Sequence, residues 1–94
     1  MEKEEIYLKL IQKFGVENQS VVAVEELSEL QKEVCKMLRK IGNVHNLAEE
    51  IADTLIVIEQ LMLIHDCESE VVLLKQQKLQ RVYERYLKQE VQNV

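Results

Sequence analysis

The sequence predicts an all-α protein, a compact four-helix arrangement folded as one domain, and three observations carry that expectation. The 94 residues contain no Pro and only two Gly, so little interrupts a helix. Hydrophobic residues make up 47% of the chain but aromatics only 4%, leaving Leu, Ile and Val among Glu, Lys and Gln, most of which suit helices. Apolar residues recur at a period near 3.6 rather than in the strict alternation of strands, and a chain of this length is one domain's worth.

The first helix is expected from about Lys3 to Phe14, ending at Gly15, since Gly accepts positive φ without penalty. The second begins near Asn18 to Ser20 and runs to Ile41, with Gly42 as its stop. In the linker GNVHN, Asn46 is the expected N-cap of the third, with Glu49 three residues on to complete a capping box. That helix runs to about His65. Ser69 or Asp66 caps the fourth, in which Leu79, Val82, Tyr83 and Tyr86 recur at helical spacing before a frayed tail at Gln92 to Val94. Short connections favour antiparallel neighbours and hence a bundle.

A net charge of −5 argues against nucleic acid, whose phosphates need clustered Lys and Arg. The charge is unevenly spread: residues 1–68 hold seven Lys/Arg against fourteen Asp/Glu, and residues 69–94 five against three. Cys35 and Cys67 form no Cys-x-x-Cys pair, so they read as free thiols rather than a zinc or redox site. The N-terminal MEKEE has no apolar signal region and no apolar run reaches a membrane span of about 18 residues, so a soluble, cytoplasmic protein without membrane contact is expected.

The third helix is apolar on every side. At about 100° per residue from Ile51, Val57, Leu61 and Ile64 fall at about 220–280°, Ile58, Met62 and Leu55 at about 340–40°, and Leu63 and Ile56 at about 120–140°. A helix buried all round needs more partners than one short chain supplies. A homodimer or homotetramer with this helix at its interface is therefore expected.

Two acids share the first of those sectors: Glu50 at about 260° and Asp53 at about 200°. Charged groups there ask for a partner, and the stretch VEELSELQKE on the preceding helix offers one. On that wheel Glu26 and Glu33 flank the apolar arc, Glu29 lies beside them, and Glu25 points away. Antiparallel packing of the two helices brings Glu26, Glu29, Glu50 and Asp53 to one cavity. Four carboxylates stay ionised together only with a counter-charge. All-oxygen ligands select a hard divalent ion, Mg²⁺ or Mn²⁺, which keeps some waters and takes substrate phosphates as further ligands. A di-iron bundle would need Glu-x-x-His, whereas Gly42 and Met62 stand three residues before His45 and His65. On the fourth helix Lys75, Lys78, Arg81 and Arg85 form one basic stripe, a candidate phosphate clamp.

The pairing of EELSE (Glu25 to Glu29) with EIAD (Glu50 to Asp53), twenty residues apart, resembles the MazG-like all-α nucleoside triphosphate pyrophosphohydrolase family. That resemblance covers the second and third helices. It implies a Mg²⁺-dependent hydrolysis of a nucleoside triphosphate between the α and β phosphates, giving the monophosphate and pyrophosphate, with Mn²⁺ as an alternative ion. It places metal ligands at Glu26, Glu29, Glu50 and Asp53, and leaves the acceptor of the water's proton open among Glu25, Glu26 and Glu29. The segment KQQKLQR, with Lys75, Lys78 and Arg81, is similar to the basic last helix of small members, and Gln19 to a polar residue that faces the base or sugar. The alternative reading is a non-catalytic helical homo-oligomer or nucleotide-binding accessory protein, which accounts for the apolar third helix but not for Glu50 and Asp53.

Overall fold

A computed structural model describes residues 1–92 and is entirely helical over its regular elements: α1 (Lys3–Phe14), α2 (Val16–Leu38), α3 (Val44–Ile64), α4 (Glu68–Tyr86) and a short α5 (Lys88–Gln92). Of the expected frayed tail, residues 93 and 94 lie outside the described residues. Gly15, at φ 91°, ends α1 and immediately caps α2, so α2 starts earlier than the Asn18 to Ser20 expected. Asn43 rather than Asn46 caps α3, its side chain accepting from the Asn46 N–H at 2.8 Å.

The far ends of α2 and α3 also fall short of the expected residues, for one shared reason. Lys40 (φ 62°) and Asp66 (φ 50°) adopt the left-handed conformation usually left to Gly. Around Lys40, the N–H groups of Ile41 and Lys40 return to the carbonyls of Lys36 and Met37; around Asp66, those of Cys67 and Asp66 return to Met62 and Leu63. Both are Schellman closures, which satisfy carbonyls that a helix end leaves unpaired. Gly42 is needed for space instead, because a Cβ there would sit 3.0 Å from the Met37 nitrogen.

The principal packing is between α2 and α3. Gln19 Nε2 donates to Gln60 Oε1 at 2.8 Å, and the Thr54 hydroxyl lies 3.5 Å from the carbonyl oxygen of Glu26, so numbers rise along α2 as they fall along α3 and the pair is antiparallel. On α2 the seam runs through Gln19, Ala23, Glu26, Leu30 and Glu33, at alternating steps of four and three, all buried or half-buried. On α3 it runs through Leu47, Glu50, Thr54, Val57 and Leu61, on the sector that carried Glu50 and Val57 in the sequence. Gln19 and Gln60 are 8% and 4% exposed, so their amides pair where water does not reach. Replacing Gln60 with Leu should cost about 1–3 kcal/mol by leaving the Gln19 amide unpaired. A double replacement of both by Leu should recover most of that loss, as a double-mutant cycle in urea would measure.

Helix α1 packs on α2 and reaches α3 through a charged contact. The buried Tyr7 hydroxyl donates to Glu59 Oε2 at 2.8 Å, and Lys3 Nζ lies 3.0 Å from the same oxygen. Burial first, then the hydrogen bond to Glu59 and its charge, pushes the Tyr7 phenol up to about 12 from 10.0. Hydrogen bonds from Lys3 and Tyr7 hold Glu59 below the usual 4.5. A raised phenol stabilises the fold fully below its unfolded value and ceases to do so as pH climbs through the folded one, so the alkaline loss falls between about pH 10 and 12. The Glu59 contribution has the opposite sense, present above about pH 4.5 and lost as acid drives the pH through its lowered value. Tyr7→Phe should lower stability by about 1–2 kcal/mol at neutral pH and flatten the alkaline limb of a melting-temperature profile. An alkaline limb identical to that of the unaltered chain would remove Tyr7 as its source.

The four long helices do not close into the compact bundle expected. The radius of gyration is 17.3 Å, where a compact chain of this length has about 12–13 Å. The physical reason lies in α4: none of its residues is buried, and it meets α3 only lightly. Ala23, Val57 and Tyr7 are the only buried apolar residues among those described, beside four buried polar ones, while Leu55, Ile58, Leu79 and Val82 stand exposed. No helix is long and apolar enough to cross a membrane.

Candidate metal centre

Carboxylates take seam positions where the α2–α3 pair would ordinarily hold apolar side chains. Glu26 enters from the middle of α2, Glu50 from the second turn of α3, and Asp53 from the next turn, one residue before the Thr54 that approaches the Glu26 carbonyl. One oxygen from each of Glu26, Glu50 and Asp53 lies within 4.8 Å of the others. Glu26 and Glu50 are half-buried and Asp53 is exposed, so the group opens to solvent on the Asp53 side. Burial, and then the charges of Glu26, Asp53, Glu29 and Glu33, push the Glu50 carboxyl above its usual value. Glu50 Oε2 is sealed from solvent and has no hydrogen-bond partner. An orphaned carboxylate oxygen beside two more acids fits a hard divalent cation, which satisfies oxygen donors and cancels their repulsion.

The other expected residues are placed differently. Glu29 is exposed and stands outside the three-acid group, although its charge acts on Glu50. Glu25 is exposed, in keeping with its outward position on the wheel. Gln19 is committed to the buried amide pair with Gln60, so within this chain it joins two helices instead of facing open space. Lys75, Lys78 and Arg81 are exposed on α4, and among the described residues none of them has a carboxylate within ion-pair distance. Within one chain the basic stripe therefore makes no direct ion pair with the acids of the group. A concavity of about 390 Å³ lies elsewhere, between the start of α1, the end of α3 and the start of α4, where Glu2, Lys3, Tyr7, Glu59 and Glu68 line it.

Glu33 is a buried acid that the paired motif does not include. It is 8% exposed, and its Oε2 has no partner. A signal for it existed, since it follows Glu26 by seven residues and falls on the same side of the helix. Gln60 left no comparable trace, because an amide in the middle of an apolar run reads as a surface residue until its partner is known.

The chain shows no match to any family model, curated protein or solved structure.

Proposed function

We propose that this protein is a Mg²⁺-dependent nucleoside triphosphate pyrophosphohydrolase that cleaves ribo- or deoxyribonucleoside triphosphates between the α and β phosphates to the monophosphate and pyrophosphate. The observation that supports it is the convergence of Glu26, Glu50 and Asp53 on one half-buried point, with an oxygen of Glu50 left unpartnered. The resemblance of EELSE and EIAD to the MazG-like pattern points the same way. Mg²⁺, or Mn²⁺ in its place, supplies neutralisation of the triphosphate and Lewis acidity at the α phosphorus. Glu26, Glu50 and Asp53 would hold the ion on the seam, with Asp53 on the solvent side. The acceptor of the attacking water's proton is one of Glu25, Glu26 and Glu29; on this reading it is Glu29, which is exposed one turn from Glu26 and outside the three-acid group.

The active form on this reading is a homodimer or homotetramer. The single chain exposes 7782 Å², against about 5,700 Å² for a typical folded monomer of 11.1 kDa. The excess of about 2,000 Å² is on the scale of an obligate interface. Assembly then brings Lys75, Lys78 and Arg81 of a second copy over the hairpin, where they stabilise the departing pyrophosphate.

The test is incubation of the purified protein with Mg²⁺ and a panel of nucleoside triphosphates, with monophosphate and pyrophosphate measured separately. Equal amounts of both support the reaction class. If neither Mg²⁺ nor Mn²⁺ supports cleavage of any triphosphate, the reading fails. The second reading, a non-catalytic helical oligomer, is favoured by the apolar residues of α4, none of which is buried. It predicts assembly without any gain in thermal stability from divalent ions.

A further inference from the structure

Resting on the reading above, we propose that Glu33 is a further ligand of the divalent centre, extending it one turn of α3 toward the loop that joins the two helices. The seam register carries the assignment. Gln19 meets Gln60, and seven residues on, Glu26 meets Thr54. Another seven residues along α2 bring Glu33 level with the turn of α3 that runs from Leu47 to Glu50.

At that position Glu33 is more than nine-tenths buried, and its Oε2 has neither solvent nor a hydrogen-bond donor. The other oxygen is 3.4 Å from Lys36 Nζ, a long contact to a lysine one turn away on the same helix. That single partner leaves half of the carboxylate unsatisfied. The only other orphaned buried side-chain oxygen among the described residues is Glu50 Oε2. Two such acids on facing helices repel, and the Glu33 charge acts on the Glu50 carboxyl. Leaving one buried ionised oxygen unpaired is costly, and two in one seam compound the cost. Glu33 stands outside the group of Glu26, Glu50 and Asp53 whose oxygens lie within 4.8 Å of one another, one step further along the seam; a divalent cation reached by both Glu33 and Glu50 would remove both costs.

The experiment is titration of the full chain with Mn²⁺ alone, following free Mn²⁺ by its paramagnetic resonance signal, with circular dichroism reporting folding. Glu33→Gln should bind Mn²⁺ about ten-fold more weakly or worse. Its metal-free melting temperature should be unchanged or higher, because an unpaired buried charge has gone. A Glu33 of purely structural value predicts the reverse, a lower metal-free melting temperature and unchanged binding. Mn²⁺ held by Glu33→Gln as tightly as by the unaltered chain overturns the assignment but leaves the Glu26, Glu50 and Asp53 centre standing. An unaltered chain that does not bind Mn²⁺ overturns both. Should Glu33→Gln fail to fold, Glu33→Asp decides: it keeps the charge but shortens the reach, so weaker binding supports the assignment and equal binding overturns it.

Discussion

Glu50→Gln should lower Mg²⁺-dependent pyrophosphate release by at least about a hundred-fold and abolish any rise in melting temperature on adding Mg²⁺ or Mn²⁺. Residues that only orient a metal ligand typically alter affinity by about 10–100-fold, and Glu50 stands in the group itself. Burial, and then the charges of the neighbouring acids, also push its carboxyl above the usual value. The amide keeps the shape of the side chain but gives up the charge, so folding should be retained. Without metal the variant should be no less stable than the parent, since one member of a repelling cluster has been neutralised. Asp53→Asn should act in the same direction, and Glu49→Gln, on the exposed side of α3, should not. Full turnover in both Glu50→Gln and Asp53→Asn would remove the proposed centre.

The second large effect is expected on assembly. On α3 the residues Ile51, Leu55, Ile58 and Met62 form a stripe about 90° from the seam. Leu55 is 54% exposed in the single chain and Ile58 37%. A surface of this kind is rare on a monomer, and on the oligomeric reading proposed above it is the contact between copies. Leu55→Glu combined with Ile58→Glu should therefore convert a dimer or tetramer to monomer in light scattering. Each buried aliphatic side chain of this size contributes about 1.5–3 kcal/mol, and a two-fold interface counts each substitution twice. The variant should also lose catalysis if α4 of one copy completes the site of another, whereas a self-contained site would remain active in the monomer. An unaltered mass for the double variant would show that this stripe is not the contact.

Much of the fold was legible because helix formation is local. Absent Pro, scarce Gly and apolar spacing marked all four long helices, and the wheel of the third placed Glu50 and Val57 in one sector, which the seam confirms. The helix ends were less legible. Lys40 and Asp66 take the left-handed conformation because the following N–H groups find the freed carbonyls, a balance that composition does not display.

What the sequence by itself determined is the helical class, the position of each long helix to within a few residues, and the shared sector of Glu50 and Asp53 on the third helix. Those follow from the period of the chain and the chemistry of single side chains. What only the tertiary structure decided is which polar groups the antiparallel seam encloses: Gln19 against Gln60, Glu26 beside Glu50 and Asp53, and Glu33 with an oxygen left unpaired. It also decided that α4 buries none of its residues and that, among the described residues, Lys75, Lys78 and Arg81 of its basic stripe form no ion pair with an acid. Both depend on register and on contacts between residues distant in sequence. The physical reason is that burial belongs to a pair of surfaces, and a single helix, read alone, carries only one of them.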